Sequence, residues 1–180
     1  VPLLDGSAAP WLELIDSLGP PPPAPQGFVV TDTFTLHDGD TRLSVLPGSP
    51  SLCAEIAFAH PAIGRQRWCG GPSDYETLLY ARTFGFLREH GLATAASLDN
   101  AVVYGDEGPM TELRAPDEPV RHKALDALGD LYLLGRPLVG GLEVVRGSHG
   151  AHVRFAQALL REAMLLSLWP SPTGEPGELL

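Results

Sequence analysis

Three side chains that can bind a metal ion recur at every fourth position of one segment: His122, Asp126 and Asp130. In an α-helix, residues four apart lie on one face with Cβ atoms about 5–6 Å apart, so an imidazole and a carboxylate can hold one cation. His and Asp are common zinc ligands, and a catalytic zinc takes three protein ligands and leaves a fourth position for water. A solvated or salt-bridged acidic helix face has the same spacing, so spacing alone leaves both interpretations open.

Other polar residues are ambiguous when only their sequence context is considered. Thr83 could be a hydroxyl donor, or simply a strand residue or a cap. His149 could donate a proton, or be a surface histidine at the start of a helix. His149 and His152 are three residues apart and could in principle form a metal pair. His60 precedes Pro61, and we expect it to be structural rather than a ligand.

The composition restricts the partners and the compartment of the protein. The 180 residues carry a formal net charge of −10, which argues against a nucleic-acid partner because phosphate binding needs a clustered excess of Lys and Arg. No apolar run reaches the roughly 20 residues that cross a bilayer, and no signal-peptide pattern is present. We therefore expect a cytoplasmic protein without stable membrane insertion. Cys53 and Cys69 could form a disulfide, but we expect both thiols to be reduced in that compartment.

Periodicity and turn residues predict the elements that position these side chains. The predicted helices are Trp11–Leu18, Asp74–Arg82, Glu118–Leu134 and Ala151–Trp169, and the predicted strands are Phe28–Leu36, Thr41–Leu46, Ser51–Ala59, Ala101–Tyr104 and Leu142–Val145. Asp117 is the expected N-cap of the third helix. The turn at residues 37–40 indicates that the first three strands form an antiparallel meander. The order predicts an α+β fold, a two-layer sandwich of a mostly antiparallel sheet packed on helices.

Five segments together resemble one enzyme family. They are Val1–Pro10, Phe58–Gly64, Ala81–Phe86, Val120–Gly135 and Arg146–His149. In order and approximate spacing they are similar to the UDP-3-O-acyl-N-acetylglucosamine deacetylases (the LpxC family), zinc-dependent enzymes that perform the committed step of lipid A biosynthesis. The resemblance extends from residue 1 to about residue 160. It implies a hydrolase that removes acetate from a UDP-linked acyl sugar.

The resemblance also implies a metal and residues that work beside it. His122 and Asp126 correspond to zinc ligands of the family, and Lys123 to a basic group near the polar end of the substrate. Thr83 corresponds to a hydroxyl that helps to hold the developing oxyanion. These roles agree with amide hydrolysis, because zinc activates water and polarises the carbonyl while the oxyanion still needs donors.

A second set of matching residues concerns the leaving group and the substrate. His149 corresponds to the histidine that assists the leaving amine, and Asp130 to the carboxylate that orients it and favours its charged form. Arg146 aligns with a basic position, and we expect it to help hold the UDP diphosphate. Phe84 and Phe86, with the following leucine, could line an acyl passage, although an ordinary hydrophobic core is the equal alternative.

The sequence departs from the family in two respects. The family's third zinc ligand and its general-base glutamate lie in a short motif of the first domain, and no such motif occurs in these 180 residues. The insert near residues 86–99 is several residues shorter, and Leu87–Leu92 can form scarcely more than one turn, so we expect a shallow or open passage that prefers shorter acyl chains or discriminates less among them. The match includes His149 but not His152, which we expect to be a surface residue.

These features predict a division of the chain and two alternative functions. Residues 1–19 are expected to be the truncated end of a first domain, 20–27 a Pro-rich linker, 28–169 the second deacetylase domain and 170–180 a disordered tail. The first hypothesis is the C-terminal part of the deacetylase, inactive without its first domain in cis or in trans. The alternative is a free-standing, non-catalytic module that binds a nucleotide sugar or completes a partner.

Overall fold

The computed structural model describes residues 4–20, 26–87, 97–162 and 166–169. The helices are α1 (Ala9–Ser17), α2 (Glu118–Leu131) and α3 (His149–Arg161), with 3₁₀ turns at Pro72–Leu78 and Tyr132–Leu134. The strands are β1 (Gly27–Val30), β2 (Phe34–Asp38), β3 (Thr41–Leu46), β4 (Ser51–Ala57), β5 (Arg65–Gly70), β6 (Phe84–Phe86), β7 (Val102–Tyr104), β8 (Leu138–Val139), β9 (Gly141–Val145) and β10 (Leu166–Trp169). Most of the expected Pro-rich linker, most of the shortened insert and the tail after Trp169 lie outside the described residues.

A five-stranded sheet in the order β2-β3-β9-β4-β5 forms the centre of the fold. All neighbours are antiparallel except β4 and β9, which run parallel. The expected hairpin is confirmed, because Asp38 pairs with Thr41 across a two-residue turn in which Gly39 has φ of 59°. The expected meander is wrong, because β9 lies between β3 and β4. Alternating apolar residues select the face of a strand but not its neighbour.

The structure corrects two other predicted elements. The stretch Phe28–Leu36 is two strands, because β1 pairs with β8 and β10 in a separate three-stranded sheet whereas β2 pairs with β3. The helix predicted over Ala151–Trp169 ends at Arg161, and Leu166–Trp169 is strand β10, antiparallel to β1. A short apolar run does not distinguish a buried helix from a buried strand.

Helix α2 packs on the central sheet through Val120, Ala124, Ala127 and Leu131, which are at most 5% exposed. Their spacing of three and four residues forms one stripe, and the two alanines allow a close approach to the sheet. Burying a Val or Leu side chain of this stripe stabilises the fold by about 1.5–3 kcal/mol. The α+β two-layer arrangement is confirmed, and packing of this stripe leaves the face with His122, Asp126 and Asp130 turned away from the sheet.

The two cysteines form a disulfide, and the expectation of free thiols is wrong. Cys53 on β4 and Cys69 on β5 are register partners in an antiparallel hairpin, with Cα atoms 4.1 Å apart. Directly paired residues of two antiparallel strands point to the same side of the sheet, and this register is what brings the sulfurs together. In the described part of the chain, no helix is both long enough and apolar enough to cross a membrane.

Candidate metal centre and surrounding site

Helix α2 presents its three predicted ligand-type side chains on one half-buried face. The side chains of His122, Asp126 and Asp130 are 16%, 14% and 23% exposed. This face is fixed because the opposite stripe of α2 is buried against the sheet. The predicted spacing on one helix face is therefore present, and the surrounding contacts define what each side chain can do.

His122 is in the neutral form that binds metal ions. Burial lowers the pKa of the His122 imidazole, although the nearby Asp126 carboxylate acts in the opposite direction. Its Nδ1–H donates to the carbonyl oxygen of Ala81 at 3.4 Å, which leaves the Nε2 lone pair available. A metal-binding histidine commonly gives its second ring nitrogen such a partner, which fixes the tautomer and the ring orientation.

Asp126 faces the free nitrogen of His122. Its Oδ1 lies 3.4 Å from His122 Nε2, and its Oδ2 accepts a hydrogen bond of 2.7 Å from Lys123 Nζ. Two ligand atoms at zinc-bond lengths from one tetrahedral ion lie about 3.3–3.5 Å apart. The separation and the donor types of His122 and Asp126 fit two ligands of one zinc ion, and Lys123 offsets the carboxylate charge.

Asp130 holds two histidines from the start of α3. Its Oδ2 lies 2.7 Å from Nδ1 of His149 and 2.7 Å from Nδ1 of His152. Burial would raise the pKa of Asp130, but hydrogen bonds from His152 and His149 outweigh that effect and lower it. Asp130 is thus an anion at neutral pH, and both rings must donate to it. His149 Nε2 is 3.9 Å from Asp126 Oδ2, so the cluster of Asp130, His149 and His152 lies next to the pair His122 and Asp126.

His152 is fully buried, and the expectation of a surface residue is wrong. It lies on α3 in line with Phe155, Ala156 and Leu159, which are also buried. The spacing of three, four and seven residues is the signature of a buried helix face, and it is visible in the sequence. Burial lowers the pKa of His152, while the Asp130 carboxylate partly opposes the shift. Sequence reasoning missed this residue because it followed the family match instead of the helix pattern.

Asp130, His149 and His152 also form a possible metal-binding group. Their ligand atoms all lie within 4.8 Å of one another, and no other group of three His, Cys, Asp or Glu in the described ranges is this close. Both rings already donate to the same carboxylate oxygen, so the group is satisfied without a cation. The pair His122 and Asp126 instead lacks a third ligand among the described residues.

Thr83 is tied to α2 by the residues before it. The Arg82 side chain and backbone N–H donate to Glu118, which is 1% exposed and lies one helical turn before His122. Ala81 supplies the carbonyl that accepts from His122. Thr83 itself is exposed, and its backbone oxygen accepts from Val102 at 2.8 Å. The residues before Thr83 therefore lie against α2 next to His122.

Aromatic residues border the same face. Phe84 stands edge-on to His122 with ring centroids 6.4 Å apart, and it also contacts Phe58 and Tyr104. Phe86 contacts the same two rings and is only half-buried. These rings therefore pack on the core, and part of their surface stays accessible.

An open cleft of about 360 Å³ lies next to α2 and is lined by Lys123, Arg146, Gly147 and residues 56–59. Arg146 adopts a φ of 52° in the turn from β9 to α3, and its guanidinium pairs with Asp40 at 2.8 Å. Lys123 and Arg146 give the cleft two cations. His60 lies outside it and bonds to the backbone, with Nε2 2.7 Å from the Gly105 oxygen and Nδ1 accepting from Ala62 N–H.

Comparisons with known proteins identify the family of this chain. The family model for LpxC, UDP-3-O-acyl N-acetylglycosamine deacetylase, matches residues 1–161. Curated relatives named UDP-3-O-acyl-N-acetylglucosamine deacetylase include those of Thermosynechococcus vestitus (42% identical over 174 residues), Pseudomonas entomophila (38% over 178) and Syntrophotalea carbinolica (37% over 177). The matches cover 90%, 90% and 91% of this chain. The chain spans 61%, 59% and 57% of the length of these relatives.

Proposed function

Because this chain belongs to the UDP-3-O-acyl N-acetylglycosamine deacetylase family, we propose that it is the second-domain part of a zinc-dependent hydrolase of lipid A biosynthesis in the cytoplasm. The reaction removes acetate from UDP-3-O-acyl-N-acetylglucosamine. The observation that carries the proposal is the 3.4 Å separation between His122 Nε2 and Asp126 Oδ1, with the His149–Asp130 pair beside it.

His122 and Asp126 would hold the zinc ion. A zinc ion bound there supplies a water whose pKa is lowered toward about 7, and it polarises the amide carbonyl. The Nδ1–H bond to Ala81 keeps His122 in the correct tautomer. Lys123 holds one oxygen of Asp126, so the other oxygen remains directed at the His122 ring.

The remaining polar groups donate a proton to the leaving group and stabilise the oxyanion. His149 gives a proton to the departing nitrogen, and Asp130 fixes the ring through the 2.7 Å bond to Nδ1 so that Nε2 is directed away from Asp130. The Nε2 edge lies on the side of Asp126. Thr83 donates a hydrogen bond from its hydroxyl to the developing oxyanion.

The cleft next to α2 is the proposed site of the substrate's charged end. Lys123 and Arg146 line it and supply two cations for a diphosphate, the Arg through paired donors. Phe84 and Phe86 both contact Phe58, which lines the cleft, and supply accessible aromatic surface for the sugar or the start of the acyl chain. The short insert near residues 86–99 would leave a shallow or open acyl passage that prefers shorter chains or discriminates less among them.

The third zinc ligand and the general base would come from a first domain, in cis or in trans. This division agrees with the chain spanning 57–61% of its relatives' length and with two suitably placed ligands, His122 and Asp126, in the described part of the chain. Residues 1–180 alone are then expected to be inactive. The proposed domain layout is a first-domain end (1–19), a linker (20–27), the second domain (28–169) and a tail (170–180).

The alternative remains a non-catalytic module that binds a nucleotide sugar or completes a partner. The cleft lined by Lys123 and Arg146 favours this alternative, because two cationic side chains can bind a diphosphate without zinc. The test is acetate release from UDP-3-O-acyl-N-acetylglucosamine by the full-length protein, before and after zinc is removed by a chelator. We expect zinc-dependent turnover that His122→Ala abolishes and that His37→Ala, at an exposed position of β2, leaves intact. Binding of the UDP sugar without acetate release in the zinc-loaded protein would support the module instead.

A further inference from the structure

Nδ1 of His152 reaches the same oxygen of Asp130 that His149 uses, at the same distance of 2.7 Å. The two rings differ completely in exposure, because the side chain of His149 is 68% exposed and that of His152 is 0% exposed. Among the described residues, Asp130 is the hydrogen-bond partner of the His149 ring. The ring also lies edge-on to His152 with centroids 6.4 Å apart, and its Nε2 is 3.9 Å from Asp126 Oδ2. The orientation of His149 therefore depends on whatever holds the Asp130 carboxylate.

The surroundings of His152 decide which of its nitrogens carries the proton. Its Nε2 is buried and has no hydrogen-bond partner. The backbone of Gly147 closes that side so tightly that a β-carbon at Gly147 would collide with Nε2 of His152 and with Val144. A proton on Nε2 would be a buried donor without an acceptor, which is unfavourable, whereas a proton on Nδ1 meets the ionised Asp130.

His152 is also held more rigidly than the residue it contacts. It is on the buried stripe of α3 with Phe155 and Leu159, both fully buried, so its ring cannot turn without disturbing the core. Asp130 projects from α2 and is partly exposed, with no such packing. His152 therefore fixes the position of the Asp130 carboxylate, and not the reverse.

We propose that His152 is a positioning residue for His149 that acts through Asp130: a neutral Nδ1–H donor that fixes the carboxylate oxygen to which His149 binds. The proposal rests on the proposed function for its catalytic meaning and on contacts between described residues for its geometry. His152 touches neither the reacting atoms nor the zinc ligands. Its loss should therefore lower kcat and leave KM unchanged.

Three variants of the full-length protein test this proposal. His152→Phe keeps a ring in the core but removes the donor, and we expect kcat to fall at least about tenfold with KM within about twofold, as is typical when an outer partner of a site residue is lost. In His152→Asn the amide nitrogen takes the place of Nδ1, and we expect most of kcat to return. Gly147→Ala pushes against Nε2 with His152 still present, and it should lower kcat as His152→Phe does.

Wild-type kcat in His152→Phe, or equal losses in the Phe and Asn variants when both are folded by circular dichroism, would overturn the proposal.

A second readout does not depend on catalysis. In ¹⁵N-edited NMR spectra of the full-length protein, His152 should show a protonated Nδ1 and an unprotonated Nε2, and the Nδ1–H signal of His149 should disappear through solvent exchange in His152→Phe. A protonated Nε2, or an unchanged His149 signal, would refute the positioning role. Absence of acetate release by the wild-type protein would instead count against the proposed function.

Discussion

Glu118 and Arg82 form a buried ion pair of 2.9 Å that joins the first turn of α2 to the segment ending in Thr83. The side chains are 1% and 8% exposed, and both oxygens of Glu118 also accept backbone N–H groups, from Arg82 and Arg114. Every acceptor position of this carboxylate faces a donor, which is the condition under which a buried charge is tolerated. The pair holds the residue before Thr83 against the helix that carries His122 and Asp126.

Removal of this carboxylate should be costly. Glu118→Ala leaves the Arg82 guanidinium buried without its partner, and loss of one member of a buried pair destabilises a protein by about 3–5 kcal/mol. The free energy of unfolding from urea titrations measures the effect. The control is Glu76→Ala, at an exposed position of the 3₁₀ turn, with an expected change within about 0.5 kcal/mol. A loss below about 1 kcal/mol for Glu118→Ala would show that the pair is not a principal anchor of this segment.

Stability should fall on acidification in two steps. Burial would raise the pKa of Glu118, but hydrogen bonds from Arg82 and Arg114 lower it, so this stabilisation is complete above about pH 4.5 and is lost as the pH falls through the folded-state pKa. Burial lowers the pKa of His152, so an earlier loss begins below about pH 6.5, where the unfolded chain takes up a proton that the folded chain does not.

Unfolding midpoints measured from pH 7 to pH 3 test both steps. Glu118→Gln should flatten the lower step and His152→Asn the upper one. An acid profile that is the same in wild type and both variants would contradict the assigned groups.

The hairpin of β4 and β5 should depend on its disulfide. Cys53 and Cys69 are 16 residues apart, and closing a loop of about that length stabilises a protein by about 3 kcal/mol in the chain-entropy model. We expect reduction to lower the free energy of unfolding by about 2–4 kcal/mol, with no effect of reductant on the Cys53→Ser/Cys69→Ser double variant. If two free thiols titrate in protein purified under oxidising conditions, the disulfide does not form.

Arg146 should contribute to binding of the nucleotide. Charged hydrogen bonds contribute about 1.5–3 kcal/mol, so Arg146→Gln should weaken UDP binding to the full-length protein about ten- to a hundredfold in titration calorimetry. Asp40→Asn is the matched variant, because it removes the ion pair but keeps the guanidinium, and it should leave UDP binding unchanged or tighter. Equal weakening by both variants would attribute the effect to the shape of the loop and not to the charge.

The part of the fold that the sequence predicts is the part determined by local pattern. Pro119 marks the start of α2, its apolar stripe recurs at helical spacing, and Gly39 gives the β2–β3 hairpin. Asp117 precedes the helix as expected, but its side chain pairs with Arg121 and makes no cap hydrogen bond. The position of β9 between β3 and β4 is a long-range choice that alternation within a strand does not encode. The pairing of β10 with β1 is missed for the same reason, since the residues of β10 are equally compatible with a helix.

The candidate site shows the same division. The spacing of His122, Asp126 and Asp130 places all three on one face, as predicted. Two residues that contact this face, Ala81 and His152, come from other parts of the chain. The carbonyl of Ala81 fixes the His122 tautomer, and His152 shares Asp130, and neither contact can be read from spacing along α2. The burial of His152 could have been predicted, because it continues the apolar stripe of α3.

The most direct test of the account is metal analysis, because two neighbouring groups could hold the zinc ion. We predict about one tightly bound zinc per full-length chain, lost in His122→Ala and in Asp126→Ala, and retained in Asp130→Asn and His152→Asn. The zinc is expected to persist in the last two variants because we propose that Asp130 and His152 position His149 and do not bind the metal. Zinc that persists in His122→Ala and Asp126→Ala but is lost in Asp130→Asn and His152→Asn would place the ion at Asp130, His149 and His152, and would contradict the central claim.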